Sequence, residues 1–494
     1  MPPSAERELE PVTAKGPSSS KPFGTYGEQY RDIDTRPIIS ETLVNALYNE
    51  ATIIKIWNVA RRALGGATPP VLYPEYTGSD KRYVYRNLDF WTSGFFPGSL
   101  YLIHERQLKY PTFYGQNGHS PSPLPHRLHL HHLCQWWSAN LHQNAGRQDT
   151  HDLGFIIAPW AVKAWELYRD PQAYSSLVLA AHSLARRFDA RVQSIRSWDE
   201  CNTRRYSFTL SDRETDFLVI IDNMLNLDLL FWVARETRDR SLFDIAIAHA
   251  RTTQKHHIRA DKSTVHVVNY DPVTGLLKKT FTHQGYSDES CWSRGQAWGI
   301  MGFMQTYEWT QEAEFLATAK DLADYFLERL PEDCVPYWDF DAPLNDSCPR
   351  DTSAGMVACC GLVLLYKALK DTDRTTAQHY LDSALRILEG TVSKFMTLSA
   401  ATFSVDVPQT VFPVYPDTEP QSQPGRLTAS LNSTSNGEFK HHENPEIPET
   451  ILEAATVCNY EFATRRWADH GLVYADYYFL LLGNMLLDLG IARA

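Results

Sequence analysis

CWSRGQAWGIMGFMQTYEWT, residues 291–310, and QEAEFLATAKDLADYFLERL, residues 311–330, stand side by side and follow different rules. The first is rich in small and apolar residues nearly all round, and a helix of that kind belongs in an interior. The second gathers its apolar residues on one stripe opposite a charged face, as a helix does when it covers a core from outside. The same two patterns return along the chain. Apolar, small-residue-rich segments lie near 92–107, 151–168, 215–235, 291–308, 352–369 and 473–490, and amphipathic ones near 41–64, 125–144, 172–188, 239–256, 312–330 and 373–395. They alternate without a break. Six outer–inner pairs point to six helical hairpins closed into a ring, an all-α (α/α)6 barrel.

One such barrel over residues 39–494 accounts for the length without a second domain. Residues 1–38, rich in Pro, Ser, Lys and Glu, read as a disordered tail. The stretch near 404–448 holds too many helix breakers for a helix and reads as a loop insertion. The inner segments start at 92, 151, 215, 291, 352 and 473, so their N-termini should face one end of the barrel. Helix N-termini carry unpaired N–H groups and partial positive charge, which suits an anionic ligand.

The net charge of −12 argues against a nucleic-acid partner. No basic and apolar leader opens the chain, and no apolar run reaches the length of a membrane span. The eight cysteines show no CxxC pair and read as reduced core thiols, which makes the cytoplasm the expected setting. Aromatics are plentiful, with 13 Trp, 25 Tyr and 22 Phe, enough to fill a core and still provide flat faces for sugars. The histidines at 126, 129, 131 and 132 lack the spacing and the partners of a metal site and are read as an outer helix face.

Unusual residues gather where the inner segments begin. Trp91 stands beside two glycines and Pro97 in Trp91-Thr92-Ser93-Gly94-Phe95-Phe96-Pro97-Gly98, either as a sugar platform or as a core ring at a kinked start. Thr150-His151-Asp152-Leu153-Gly154-Phe155 offers a carboxylate that could equally cap its helix. Asp222 sits within the apolar run from Phe217 to Leu230, where a lone charge is costly. It must have a partner or keep its proton through a raised pKa, the state a general acid needs. Asp216 looks like a cap, and Asp228 lies on the opposite face. In the block from Thr282 to Trp298, Arg294 could receive a sugar carboxylate, lie near a reacting water, or form a structural pair with an aspartate. His266 belongs to a short strand-like stretch over 263–270.

Together WTSGFFPG, HDLGF, IIDNMLNLDLL and HQGYSDESCWSRGQAWG resemble the unsaturated glucuronyl hydrolases, glycoside hydrolase family 88. The resemblance spans roughly 85–370, with a further similarity at 471–478. It implies release of a 4,5-unsaturated uronic acid from the non-reducing end of lyase-made oligosaccharides by hydration of the C4=C5 bond. No metal or other cofactor is expected to take part. It implies that Asp222 protonates C4 and activates the water adding at C5, while Asp152 holds ring hydroxyls and helps orient that water. Trp91, His151, His266, Gln284, Trp292, Arg294 and Trp298 correspond to the substrate pocket. Ser93 departs from the pattern, since many bacterial relatives carry Asp there. Other readings are an unsaturated rhamnogalacturonyl hydrolase, a sugar epimerase or a non-catalytic carbohydrate-binding protein on the same barrel. Neither the oligomeric state nor the preferred linkage and sulfation are legible.

Overall fold

A computed structural model describes residues 39–114, 124–345, 347–397, 448–463 and 466–493. The expected tail over 1–38 lies outside these residues, as does all of the expected insertion except Pro448.

Six inner helices form the ring: α3 (Phe95–Lys109), α5 (Leu153–Tyr168), α7 (Asn223–Thr237), α9 (Ser293–Thr310), α11 (Thr352–Leu369) and α13 (Val473–Asp488). Each packs on the next, and α13 returns to α3 to close the circle. The outer layer consists of α1 (Glu41–Leu47), α2 (Glu50–Arg62), α4 (Arg127–Ser138), α6 (Pro171–Ala185), α8 (Arg240–His256), α10 (Ala313–Glu328) and α12 (Arg374–Phe395). The (α/α)6 architecture read from the sequence is the one observed.

Burial explains the two kinds of helix. On α11 every residue from Thr352 to Leu365 is buried. Its length and apolarity would suit a membrane span, yet 83% of it is buried against its neighbours. On α8 burial is confined to one stripe through Leu242, Ala246, Ile247, His249, Ala250 and Thr253, the spacing of a single helical face.

The hairpins run inner helix first. Three of the inner-to-outer turns are two residues long and alike: Arg169-Asp170, Arg238-Asp239 and Gln311-Glu312. The first residue of each takes the left-handed conformation, with φ of 54°, 60° and 58°. Asp170 and Asp239 then cap the following helix through their carboxylates. The outer-to-inner connections, at the other end, are long.

Those long connections carry the strands. β1 (Leu72–Thr77) pairs with β2 (Tyr83–Asn87), β3 (Phe188–Asp189) with β4 (Ser194–Ile195), and β5 (Cys201–Thr203) with β6 (Phe208–Leu210), all antiparallel. β7 (Phe217–Ile220), β8 (Val267–Tyr270) and β9 (Leu277–Phe281) form a three-stranded antiparallel sheet. The third inner helix, expected from 215, therefore starts only at Asn223. The apolar run before it pairs with β8, because Val219 and Ile220 fit a pleated ladder at least as well as a helix. All eight cysteines are free; Cys334 and Cys348 are part-exposed and the other six buried.

Candidate active site

Asp152 and Asp222 occupy the residues that precede α5 and α7, the N-cap position. An aspartate there normally accepts a bond from one of the first helical N–H groups, but neither of these carboxyls does so. Elsewhere in the chain Asp170, Asp239, Asp351 and Asp373 all cap as expected. The carboxyls at 152 and 222 are withheld from the structural task their position offers.

Asp222 sits where β7 gives way to α7, rather than inside a helix. It is 8% exposed, and its Oδ2 has no hydrogen-bond partner within the chain. Burial lifts its pKa to about 7; Arg294 opposes the rise and the charge of Asp152 adds to it. The indole N–H of Trp298 lacks a well-aligned acceptor but lies close enough to favour the charged carboxyl slightly. Near neutral pH this group is divided between acid and carboxylate.

Asp152 is more open, at 19% side-chain exposure. Thr150 Oγ1 donates to its Oδ2 at 2.8 Å and accepts from its backbone N at 3.0 Å. His151 Nε2 lies 3.2 Å from Asp152 Oδ1. Burial holds the His151 pKa below the usual range, with Asp152 pulling the other way. Two glycines bring these helix starts together. A Cβ on Gly154 would lie 2.6 Å from Asn226 Oδ1 and 2.7 Å from Asn226 Cα, so α5 can meet α7 only with glycine there. Gly94 likewise admits the Phe155 carbonyl of α5 against the start of α3.

Arg294, at 1% exposure, gives both terminal nitrogens to the chain itself. Its Nη1 donates to Asp351 Oδ2 at 2.6 Å and to the Thr456 carbonyl at 2.5 Å. Its Nη2 donates to Gln284 Oε1 at 3.1 Å and to the Val457 carbonyl at 2.7 Å. The guanidinium carbon lies 4.5 Å from the Trp292 ring centre and 5.5 Å from that of Tyr474. The Arg–Asp pair that was one reading of the sequence is formed, with Asp351 as the partner. It leaves this side chain acting on Asp222 through its field.

His266 lies just before β8, and its Nδ1 accepts from the His283 backbone N at 3.0 Å. That bond assigns the ring proton to Nε2, which is buried and has no partner within the chain. Burial, reinforced by His283 and Arg294, keeps the ring neutral. Trp292 packs 4.8 Å from His266 with its own N–H unpartnered. Trp91 is part-exposed and leans on Phe95, Phe155 and Tyr474, while the buried Trp298 meets Phe155 and Tyr478. Trp91 therefore offers ring surface, and Trp298 chiefly its N–H. Ser93 is buried with an unpartnered hydroxyl.

Asp216 and Asp228 serve structure. Asp216 accepts from Asn269 at 2.6 Å and Lys278 at 2.8 Å, and Asp228 from the Trp309 indole at 2.6 Å. His131 of the histidine tract stacks on Tyr168 at 4.0 Å. Two residues of the site were not singled out from the sequence. Asp351, in Arg350-Asp351-Thr352-Ser353, reads as an N-cap, which it also is. Tyr474 belongs to the closing similar block and has a buried, unpartnered hydroxyl.

A family model described as Glycosyl Hydrolase Family 88 matches residues 163–408. An unsaturated glucuronyl hydrolase of Formosa agariphila is 36% identical over 301 residues, covering 60% of this chain and 67% of its own. An unsaturated chondroitin disaccharide hydrolase of Streptococcus pyogenes is 33% identical over 321 residues, covering 64% of this chain and 73% of its own. The crystal structure of an unsaturated glucuronyl hydrolase specific for heparin aligns with a TM-score of 0.67 at 27% identity, covering 91% of this chain and 98% of that one.

Proposed function

The chain belongs to glycosyl hydrolase family 88, and from that membership we propose that it hydrates the C4=C5 bond of a 4,5-unsaturated uronic acid at the non-reducing end of an oligosaccharide. Asp222, as the acid, delivers its proton to C4 and then, as carboxylate, draws a proton from the water that adds at C5. The hemiketal so formed breaks its C5–O5 bond to give a ketone at C5 and a hemiacetal at C1. Collapse of the hemiacetal releases the remaining sugar as an alcohol. One tuned carboxyl serves both steps, and such acid–base help is worth roughly 10²–10⁴-fold.

The single observation that carries this reading is the Asp222 carboxyl, buried, uncapping and balanced near pH 7 beside Asp152. Asp152, held by Thr150 and His151, would bind ring hydroxyls and orient the water. Trp91 would stack on the sugar, and the N–H groups of His266, Trp292 and Trp298 with the amide of Gln284 would meet its oxygens. Arg294, held by Asp351, would tune Asp222 from beside the pocket. Eight free cysteines fit a reducing compartment such as the cytoplasm.

The test is to offer lyase-made disaccharides of two classes, uronate on hexosamine and galacturonate on rhamnose, and to follow the loss of double-bond absorbance. Turnover of the first class with little of the second is expected. An inert protein, or one whose product lacks the 5-keto group, would sink the proposal.

A further inference from the structure

Asp351 binds three parts of the molecule with one buried carboxylate. Its Oδ2 holds Arg294 at 2.6 Å. Its Oδ1 caps α11 through Ser353 N at 3.1 Å and Ala354 N at 3.4 Å, takes the Ser353 hydroxyl at 2.5 Å, and meets Thr456 N at 3.4 Å. The segment through Thr456 and Val457 is thereby fixed so that its two carbonyls reach the same guanidinium. A capping aspartate needs none of these last contacts.

We propose that Asp351 is a positioning residue for the reaction, fastening Arg294 and offsetting part of its charge so that the pull of this cation on the Asp222 carboxyl stays below that of burial. The inference rests on Asp222 being the reacting acid. The groups that face Asp222 are Arg294 from α9, Asp152 before α5 and Tyr474 from α13. Facing Arg294 are Asp351, Asp222, Tyr474, His266, His470 and Cys458. Burial lowers both histidine pKa values and raises those of the tyrosine and the cysteine, so these four are neutral around pH 7. Among the described groups that face Asp222 and Arg294, the charged ones are then Arg294 itself and the three aspartates. Removing the charge at 351 leaves Arg294 less compensated, and a stronger cation favours the Asp222 carboxylate over the acid.

Asp351→Asn preserves the side-chain shape and a capping oxygen while deleting the charge. The alkaline limb of its kcat–pH profile should move to lower pH by about one unit, with roughly tenfold less turnover above both limbs and KM little changed. An unmoved limb, or one moved upward, overturns the proposal. Asp351→Glu keeps the charge and covers the case in which the Asn variant does not fold. Its limb should stay at the wild-type position even where kcat falls, and a displaced limb again overturns the proposal. If Asp222→Asn retains turnover, the failure belongs to the assignment of the acid, not to Asp351.

Discussion

At the scale of the residue, Asp222 combines its proposed chemical task with a thermodynamic burden. Asp222→Asn should abolish turnover and leave substrate binding largely intact; Asp152→Asn should lose both activity and affinity, as single-turnover rates and equilibrium binding would record. The wild-type pKa of about 7 exceeds the unfolded value of about 3.9, so the folded state holds this proton more tightly. Stability is then lost as pH rises between those values, by on the order of 4 kcal/mol. Asp222→Asn escapes that loss, and its melting temperature should exceed that of the wild type at pH 8 but not at pH 4. Turnover, which needs the protonated form, should fall as pH climbs through about 7 in a kcat–pH profile. Asp222 stands out in the sequence because a carboxyl in an apolar run has few structural uses. Asp152, at a helix start, reads equally well as a cap and is singled out only together with Asp222. The partner of Arg294 could not be picked out. Asp351 has an N-cap's local sequence, and nothing within four residues of it points to a guanidinium on another helix.

At the scale of the element, the helix starts are set by close approach. Gly154→Ala would drive a methyl group into Asn226, with an expected cost of about 1–3 kcal/mol in denaturant unfolding and a drop in kcat as Asp152 shifts. Asp170→Ala, beyond the far end of α5 at the start of α6, should cost about 1 kcal/mol through its lost cap and leave kcat unchanged. A kcat effect of equal size in both variants would contradict the link between packing at Gly154 and the site. Element type was legible where periodicity was long, as in α8 and α12, whose starts fall one residue from expectation. It was not legible at Phe217–Ile220, since four apolar residues suit a buried strand and a buried helix alike and the arbiter, the pairing with β8, is distant in sequence.

At the scale of the whole barrel, alternation of apolar and amphipathic segments was enough to give the architecture, because each helix type can be buried in only one layer. The seam was not foreseeable, since ring closure joins α3 to α13 from opposite ends of the described chain. Arg106 fastens it: fully buried on α3, it donates to Asn484 at 3.0 Å and Leu480 O at 3.3 Å on α13, and to Leu47 O at 3.0 Å at the end of α1. Arg106→Met would take this donor from all three acceptors and leave the Asn484 amide oxygen without it in a buried seam, while Leu480 O keeps its place in the helical ladder of α13. A loss on the order of 3 kcal/mol or more is expected in equilibrium unfolding, and an unaltered midpoint would show that the seam holds without it.

The two-residue turns at Arg169, Arg238 and Gln311 have their left-handed residue exposed and lie at the end away from Asp152 and Asp222. A thiol-independent handle placed on one of them would couple the protein to a solid support with its mouth turned toward the bulk liquid, without competition from the part-exposed Cys334 and Cys348. Immobilised that way, each molecule would keep free access to large saccharides, while random attachment through lysines would block a share of them.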